Sequence, residues 1–516
     1  MDDTASAPRR GSNIDLERFR LRTFLASLGP DELEIRDAPM ELSEVAAVIE
    51  GNRKAVWFKH LGAEGAELVG NVTGSRERLA QAFGVDQSKL LGEVQRRLRT
   101  KPEVIELGRA QAPVQQVVMT ADDADLTTLP LHLQHGADGG LYISASVDYA
   151  IDTATGFTNV GFRRLMLRGR RETGIDLVSP SDLRAIYLAA AARGENLPVS
   201  FVIGCHPIDM VGAMMRLPVD ELGLVGSLRD APLPVVKCIT NDIRVPADAE
   251  WVIEGYLDRK GHVEPEGPYG EFLGYYGAVK LNPVFHVTAI TRRHDALFQT
   301  ATISGRAMAN TETAQLGALR CEIMIWRALE TAVREPVNVF ATPSSGGNFN
   351  VRIALRQRVP GEARNAIQAT FASLANVKHV FVVDPDVDIF SDAQMDWALA
   401  TRFQADRDLV VVSGMRGLPL DPSLGGEARV TAKAGFDLTW PFGMADKLET
   451  TVPEPPTYGG KRFASLEAAL ADGPKSFEEL MAALGTRDGR EVVRALEPFY
   501  RTPGLARDPR GKYKLK

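Results

Sequence analysis

The sequence predicts an α/β protein made of three consecutive domains and a small C-terminal appendage. A chain of 516 residues is long enough for about three domains. Its middle part is a series of short β-rich runs, whereas the parts before and after it alternate helical and strand patterns. Because 44% of the residues are hydrophobic and 25% are charged, the composition excludes a wholly disordered or fibrous chain.

The predicted N-terminal domain, residues 14–121, is mixed α/β. Residues 1 to about 13 are polar and small and are predicted to be disordered, and apolar residues at helical spacing predict a first helix from near Asp15. A second helix is expected to open on Ser75 and to end at Gly84.

The central domain, residues 122–310, is predicted to be an antiparallel barrel or sandwich. Short runs such as LYISASVDYAID and PVFHVTAIT are separated by Gly, Pro and Asn. Two helices interrupt them, one with Pro180 in its first turn and Gly194 as its stop, and one within PVDELGLVGSL. Helix N-termini inside such a domain are natural places to bind an anion.

A third domain, residues 311–450, again mixes helices and strands, and a Pro- and Gly-containing linker separates it from residues 461–516. The last segment predicts two amphipathic helices and a hairpin. It holds twelve Lys and Arg against eight Asp and Glu, a net charge of +4. This pattern resembles a winged-helix module, although a packing or oligomerisation appendage is the favoured interpretation.

Composition and missing motifs exclude several function classes. The formal net charge of −7 argues against a generally basic nucleic-acid binder. The three cysteines, Cys205, Cys238 and Cys321, are odd in number and widely spaced, which does not suit a set of disulfides and fits a reducing compartment. Together with the absence of an apolar leader or span from the sequence, they predict a cytoplasmic protein. Phosphate-binding loops of the GxxxxGK[ST] and GxGxxG kinds and the GxSxG elbow are also absent. His132 and His135 lack further ligand spacing, which favours a structural role over a metal site.

Two segments carry residues suited to chemistry. Glu266 and Glu271 flank a Gly-Pro-Tyr-Gly turn, which can bring both carboxylates to one pocket. Crowded carboxylates raise the pKa of one member, as general acid catalysis near neutral pH requires. Earlier, Arg163 and Arg164 follow one another on a predicted strand, so they point to opposite faces and one of them can orient a substrate carboxylate.

Taken together, these segments resemble the UbiD-type decarboxylases, which use prenylated flavin mononucleotide. The resemblance extends to about Pro453 and rests on ELVGNVTGSRERLAQAFG, YISASVDYAIDTATGFTNVGFRR, PVVKCITNDIRVPADAEWVIEG, PEGPYGEFLGYYG and VVDPDVDIF, in this order. It implies that the central domain is a split β-barrel of the flavin-reductase type that binds the cofactor. It also implies that the third domain serves oligomerisation.

The resemblance assigns roles to individual residues. Arg164, Glu266 and Glu271 would be catalytic: Arg164 pairs with Glu266 and holds the substrate carboxylate, and Glu271 delivers the proton that replaces carbon dioxide. The implied metal ligands are Asn159 and Glu221, with Asp182 at the position of the family's metal-binding histidine. The implied cofactor-binding residues are Asn159, Gly161, Phe162, Arg163, Arg164 and Glu221.

Asp182 is the one departure from the family pattern. It would either act as a hard oxygen ligand suited to manganese or magnesium, or be only an acid in the first turn of a helix, stabilised by the helix dipole. Both interpretations stay open at this stage. In the family the metal holds the phosphate of the flavin. If Asp182 makes the metal site more anionic, we expect cofactor binding to depend more strictly on the metal than in relatives with the histidine.

The expected function is reversible, non-oxidative decarboxylation of an aromatic or heteroaromatic carboxylic acid. Val178, Phe272 and the loop around Thr313 are expected to line an apolar pocket for it. The implied cofactors are prenylated FMN and Mn²⁺ or Mg²⁺, with K⁺ as a further candidate. The implied partners are a prenylflavin-supplying enzyme and further copies of the chain, as a dimer or hexamer; neither membrane nor nucleic acid is expected. The alternatives are a decarboxylase of a cinnamate-like α,β-unsaturated acid and a flavin-binding, non-catalytic relative with a degraded metal site.

Overall fold

The computed structural model describes residues 14–425, 430–444, 447–501 and 504–516. The prediction of disorder for residues 1 to about 13 lies outside these ranges. The described residues divide into two compact units. One is formed by the described residues of 14–358 and 362–438, and the other by those of 359–361 and 439–516. None of the helices in the described ranges combines the length and apolar character needed to cross a membrane.

The N-terminal part packs short helices against two small sheets. The four-stranded sheet has the order Leu33–Arg36, Ala55–Leu61, Ala66–Gly70 and Phe298–Thr300, and the three-stranded sheet has the order Arg244–Pro246, Leu233–Lys237 and Val104–Leu107. The helices are Leu21–Ala26, Val45–Ile49, Arg76–Phe83 and Leu90–Arg97.

Local capping explains where the helix Arg76–Phe83 begins and ends. The Ser75 hydroxyl accepts a hydrogen bond from Arg78 N at 3.1 Å, and Gly84 ends the same helix in the left-handed conformation, as predicted. The helix predicted from near Asp15 begins only at Leu21. The Asp15 carboxylate binds nearby backbone N–H groups and stabilises a turn there instead of a helix.

The central domain is a closed barrel of six antiparallel strands, which confirms the predicted mixed α/β fold with a barrel at its centre. In barrel order the strands are Trp251–Leu257, Leu197–Ile203, Tyr142–Ile151, Thr158–Leu167, Glu172–Ile175 and Val284–Arg292, and the last pairs with the first. Val117–Thr120 also pairs with Val284–Arg292, at Ala289–Arg292. Side chains alternate between the two faces of each strand, and Phe201, Ile253 and Phe285 fill the interior.

Three helices accompany the barrel: Asp182–Ala192, Pro207–Met214 and Glu221–Arg229. The first is capped by Ser181, whose hydroxyl accepts from Arg184 N at 3.3 Å. The prediction that Pro180 lies in its first turn is therefore wrong by one step, because Ser181 is the N-cap and Pro180 precedes it. Asp220 caps Glu221–Arg229 in the same way.

The third part contains a mixed sheet and the longest helix. Its strands follow the order Pro336–Ala341, Asn350–Leu355, His379–Val383, Val430–Asp437 and Leu409–Arg416. Its helices are Glu312–Ala332, Glu362–Ala372, Asp392–Arg402 and Ala405–Asp408. Leu319, Val351 and Val380 join a buried cluster that also contains residues of the N-terminal and central parts.

The C-terminal unit holds the two helices and the hairpin expected from the sequence, and one further helix. The helices are Leu466–Ala471, Phe477–Leu484 and Gly489–Arg501, and the hairpin pairs Leu505–Arg507 with Tyr513–Leu515. Leu470, Leu480, Val492 and Leu496 form its core with Tyr513 of the hairpin. The first helix was missed because it is only 6 residues long.

A buried ion triad stabilises the centre of the first unit. Arg229 donates to Asp209 Oδ1 at 2.7 Å and to Asp248 Oδ2 at 2.6 Å, and all three side chains are at most 1% exposed. The Arg229 guanidinium also lies 4.8 Å from the ring centroid of Phe19. Removing the arginine alone would leave two uncompensated buried carboxylates.

We therefore expect Arg229→Met to lower the free energy of unfolding by about 3–5 kcal/mol. Arg193→Met removes an arginine from an exposed pair with Glu195 and is the matched control, with an expected change within about 0.5 kcal/mol. Urea unfolding followed by circular dichroism measures both. Equal unfolding midpoints for the two variants would contradict the role given to the triad.

Candidate active site

The guanidinium of Arg164, on strand Thr158–Leu167, is surrounded by three carboxylates. Its Nε lies 3.3 Å from Glu266 Oε1, and its Nη1 donates to Glu271 Oε2 at 3.3 Å. Its Nη2 donates to Asp176 Oδ2 at 3.0 Å. The structure thus brings together the three residues that the sequence singled out for catalysis and adds a fourth.

Two short hairpins hold the glutamates in this position. Glu264–Glu266 pairs with Lys280–Asn282, and Tyr269–Gly270 pairs with Tyr276–Gly277. A Cβ atom at position 277 would lie 2.7 Å from Oε1 of Glu271. Only glycine there leaves room for the carboxylate.

The burial of Glu271 favours a proton on its carboxyl. Burial raises the pKa of Glu271, and the negative charges of Asp176 and Glu266 raise it further, whereas Arg164 and Lys280 lower it. Lys280 Nζ lies 3.9 Å from Glu271 Oε1 and 3.4 Å from Asp176 Oδ2. Two cations thus face three carboxylates, and one proton on Glu271 balances the cluster.

Two tyrosines form an aromatic platform under the arginine. The Arg164 guanidinium lies 4.7 Å from the ring centroid of Tyr269, within cation–π range. The rings of Tyr142 and Tyr269 are 4.2 Å apart between centroids. Burial raises the pKa of both phenols, so both stay neutral.

The opposite face of the strand carries a second polar group, centred on the buried Asp148. Asn159 Nδ2 donates to Asp148 Oδ2 at 2.9 Å, and Arg163 Nε donates to Oδ1 at 3.2 Å. Asp148 is also the cross-strand neighbour of Gly161, where a Cβ would lie 2.6 Å from its Oδ1. The neighbouring Phe162 is partly buried. Arg163 and Arg164 therefore have different partners, as strand alternation predicts.

Glu221 is fixed to the start of the same strand. Its Oε2 accepts from Val160 N at 2.7 Å, and the adjacent Asp220 accepts from Thr158 N at 2.8 Å. Burial raises the pKa of Glu221 to about 8, and the charges of Asp182, Asp148 and Asp220 contribute. A bound cation would stabilise the ionised form.

Asp182 lines the same cavity as Asn159 and Glu221, a space of about 700 Å³. It is exposed in the first turn of its helix and forms no ion pair with any described residue. Its placement keeps both sequence interpretations open: it faces the cavity, and it also satisfies the helix dipole.

The donor chemistry fits a hard divalent cation. Across the described ranges, no cluster of three or more His, Cys, Asp or Glu side chains is placed to hold a metal ion. A site here therefore needs the amide oxygen of Asn159 beside the carboxylates of Asp182 and Glu221. Three oxygen donors of this kind suit Mn²⁺ or Mg²⁺.

Family models match most of the chain. The N-terminal domain of 3-octaprenyl-4-hydroxybenzoate carboxy-lyases (UbiD) matches residues 36–98, the Rift-related domain 106–307 and the C-terminal domain 314–438. The chain belongs to the UbiD family of decarboxylases. This confirms the family predicted from the sequence.

Individual UbiD relatives agree over similar lengths. Anhydromevalonate phosphate decarboxylase of Methanosarcina mazei is 31% identical over 408 residues, which are 79% of this chain and 92% of the relative. The UbiD-class enzyme HmfF from Pelotomaculum thermopropionicum, solved with FMN, superposes with a TM-score of 0.79 at 32% identity, covering 85% of this chain and 98% of that one. The 3,4-dihydroxybenzoic acid decarboxylase of Enterobacter cloacae gives a TM-score of 0.77 at 28% identity, covering 85% and 96%.

Sequence reasoning missed two charged residues of this UbiD site, and strand register could have found them. Leu165 pairs with Ile175, the last residue of the next strand, so Asp176, which directly follows that strand, lies beside Arg164. Glu266 pairs with Lys280 across the glutamate hairpin. The positions of Asp176 and Lys280 both depend on how residues pair across neighbouring strands, which the sequence pattern did not determine.

A neighbouring polar network that supports the glutamate loop was also missed. The Asp138 carboxylate accepts from Gly270 N at 2.9 Å and lies 3.0 Å from His135 Nδ1. Tyr276 accepts from Ala137 N at 3.0 Å. His135 therefore has a structural partner, and burial lowers the pKa of its companion His132 to about 4.

The three positions expected to line a substrate pocket are more dispersed. Val178 is exposed and Phe272 half-buried. The Thr313 hydroxyl donates to Ile303 O at 3.0 Å. These contacts leave the role of the three residues in substrate binding a prediction.

We expect Glu221→Gln to weaken Mn²⁺ binding at least tenfold, because it replaces a carboxylate by a weaker, neutral donor. Isothermal titration calorimetry on the full chain measures the affinity. Glu195→Gln alters an exposed glutamate outside the cavity and should leave Mn²⁺ binding unchanged. Equal affinities of the wild type and Glu221→Gln would exclude Glu221 as a ligand.

Proposed function

We propose that this UbiD-family chain catalyses reversible, non-oxidative decarboxylation of an aromatic or heteroaromatic carboxylic acid with prenylated FMN and a divalent metal. The observation that carries the proposal is the Arg164 guanidinium held among Glu266, Glu271 and Asp176. The Arg164 guanidinium can bind a substrate carboxylate through two parallel hydrogen bonds, and the Glu271 carboxyl beside it retains its proton. The aromatic platform beside it suits a flat substrate.

Substrate binding begins with a change of partner at Arg164. An entering carboxylate competes with the present carboxylates for the planar guanidinium, while Glu266 stays fixed through Asn282, whose Nδ2 donates to it at 3.3 Å. Arg164 therefore keeps one carboxylate partner as an anchor. The geometry orients the carbon–carboxylate bond before it breaks.

Glu271 is the proposed proton donor. Loss of carbon dioxide leaves a carbanion for which bound prenylated FMN supplies the electron sink. The buried, protonated Glu271 carboxyl then transfers its proton to the carbon that lost the carboxylate. In the carboxylation direction the same group removes that proton as a base.

Asn159, Asp182 and Glu221 would hold the divalent metal, Mn²⁺ or Mg²⁺, with K⁺ as a further candidate. Gly161, Phe162 and Arg163 would contribute to flavin binding. The proposed partners are an enzyme that supplies the prenylated flavin and further copies of the chain, as a dimer or hexamer. FMN in HmfF and prenylated FMN in an evolved dimeric HmfF support the flavin.

A second substrate class has a specific observation in its favour. Several relatives are named anhydromevalonate phosphate decarboxylases, so a phosphorylated, non-aromatic acid is the second candidate. A cinnamate-like acid is the third. Each of the three classes would use Arg164 to bind its carboxylate and Glu271 as its proton donor.

The test is co-expression of the chain with a prenylflavin-producing enzyme, followed by anaerobic purification. The substrate panel holds aromatic, heteroaromatic, cinnamate-like and phosphorylated non-aromatic acids. We expect flavin absorbance, bound metal, and release of carbon dioxide from an aromatic or heteroaromatic member. Release only from a phosphorylated acid would support the second candidate. Flavin-loaded, metal-loaded protein that decarboxylates none of these acids would support the non-catalytic alternative.

Glu271→Gln should abolish turnover and leave the flavin bound, because the amide has no acidic proton to transfer. Its flavin content is read from the absorbance spectrum of the same preparation. The control is Glu264→Gln, which changes an exposed glutamate on the neighbouring strand Glu264–Glu266 and should keep near-normal activity. Near-normal activity of Glu271→Gln would refute its role as proton donor.

Lys280→Met should move the alkaline limb of the pH–rate profile to higher pH. Lys280 lowers the pKa of Glu271, so its removal raises that pKa, and the protonated donor persists to higher pH. Lys280→Arg keeps the charge and should restore the original profile. A profile that moves to lower pH in Lys280→Met would contradict this assignment.

A further inference from the structure

Three arginines of this chain line the cavity that also holds Asn159 and Glu221. They are Arg216, Arg320 and Arg416. They come from three separate elements: the loop before helix Glu221–Arg229, the helix Glu312–Ala332 and the strand Leu409–Arg416. Neither the sequence motifs nor the catalytic proposal gives them a role.

None of the three arginines forms an ion pair with a carboxylate of the described residues. Arg320 Nη2 donates to Asn348 Oδ1 at 2.9 Å, which fixes the arginine side chain. The buried Nε of Arg320 has no hydrogen-bond partner among the described residues. A buried donor without a partner is costly unless a ligand satisfies it.

The arginines also repel one another. Loss of contact with water in the cavity wall lowers the pKa of Arg216 to about 10. The charges of Arg320, Arg163 and Arg416 lower this pKa further, and the charge of Asp182 raises it only in part. Arg216 remains charged at neutral pH, but its charged form is stabilised too little by its surroundings. A bound anion would remove this deficit.

The charge balance of the cavity indicates which anion. Its carboxylates are Asp152, Asp182 and Glu221, and Asp152 already accepts from Ala154 N and from the Thr155 hydroxyl. With a divalent cation on the other two, three arginines, three carboxylates and the cation carry a net charge of +2. A phosphate monoester dianion neutralises this charge and matches the planar donor pairs of arginine.

We propose that Arg216, Arg320 and Arg416 form a phosphate-monoester subsite in this cavity, in which guanidinium groups bind the phosphate directly. The phosphate would come either from the flavin or from a phosphorylated substrate. The inference deepens the proposed function and rests on it for the identity of these ligands. It assigns to this chain a phosphate contact that does not depend on the metal alone.

The test measures binding by the full chain, without turnover. The affinities of FMN and riboflavin, which differ only in the phosphate, are measured by quenching of flavin fluorescence, with and without Mn²⁺. The variants are the pair Arg216→Gln with Arg416→Gln, and the same pair with Arg320→Gln added. Arg327→Gln, an exposed arginine two turns further along the helix of Arg320, is the matched control.

If the phosphate is that of the flavin, each lost arginine should weaken FMN binding by about tenfold. Riboflavin binding should change less than about twofold, and the control should match the wild type for both ligands. In the absence of Mn²⁺, the wild type should still prefer FMN to riboflavin. This preference should fall in the double variant, which keeps the partly buried Arg320.

If the phosphate is that of a substrate, FMN affinity should stay unchanged. Inorganic phosphate should then bind the FMN-saturated wild type and bind the double and triple variants at least tenfold more weakly. Unchanged binding of both FMN and inorganic phosphate in the variants would overturn the subsite, and so would equal losses for FMN and riboflavin. An intact subsite in a chain that releases no carbon dioxide would refute the proposed function alone.

Discussion

The contact of Arg164 with three carboxylates is the interaction on which the arrangement of the site depends. It joins a barrel strand, the strand next to it and the glutamate loop through one guanidinium. A lone buried arginine or a lone buried carboxylate cluster would be strongly destabilised, whereas together they neutralise each other. Arg164 therefore offsets part of the free-energy cost of burying these carboxyl groups.

The two faces of one strand divide the work between two regions. Arg164 faces the glutamates, while Asn159 and Arg163 face Asp148 on the opposite side. Asp220 and Glu221 bind the first backbone N–H groups of the same strand. A small change in the register of this strand would therefore displace both regions at once. Gly161 leaves room for the Asp148 carboxylate on the neighbouring strand, because a Cβ there would lie 2.6 Å from Asp148 Oδ1.

Much of the fold and part of the site could be predicted from the sequence. Periodicity and punctuation by Gly and Pro predicted the β-rich centre, and the spacing of Glu266 and Glu271 predicted their convergence. Asp176 and Lys280 were missed because their contacts depend on hairpin register, which alternation alone does not determine. The three cavity arginines lie in distant parts of the sequence, so only the folded chain brings them together.

The most direct test of the account is the titration of the Glu271 carboxyl itself. In full-length protein labelled with ¹³C at the glutamate side-chain carboxyl, the signal lost in Glu271→Gln identifies this residue by NMR. We predict that Glu271 titrates above the ordinary glutamate range, since burial raises its pKa more than Arg164 and Lys280 lower it. A pKa at or below the ordinary value would contradict the claim that this site holds a proton ready for transfer.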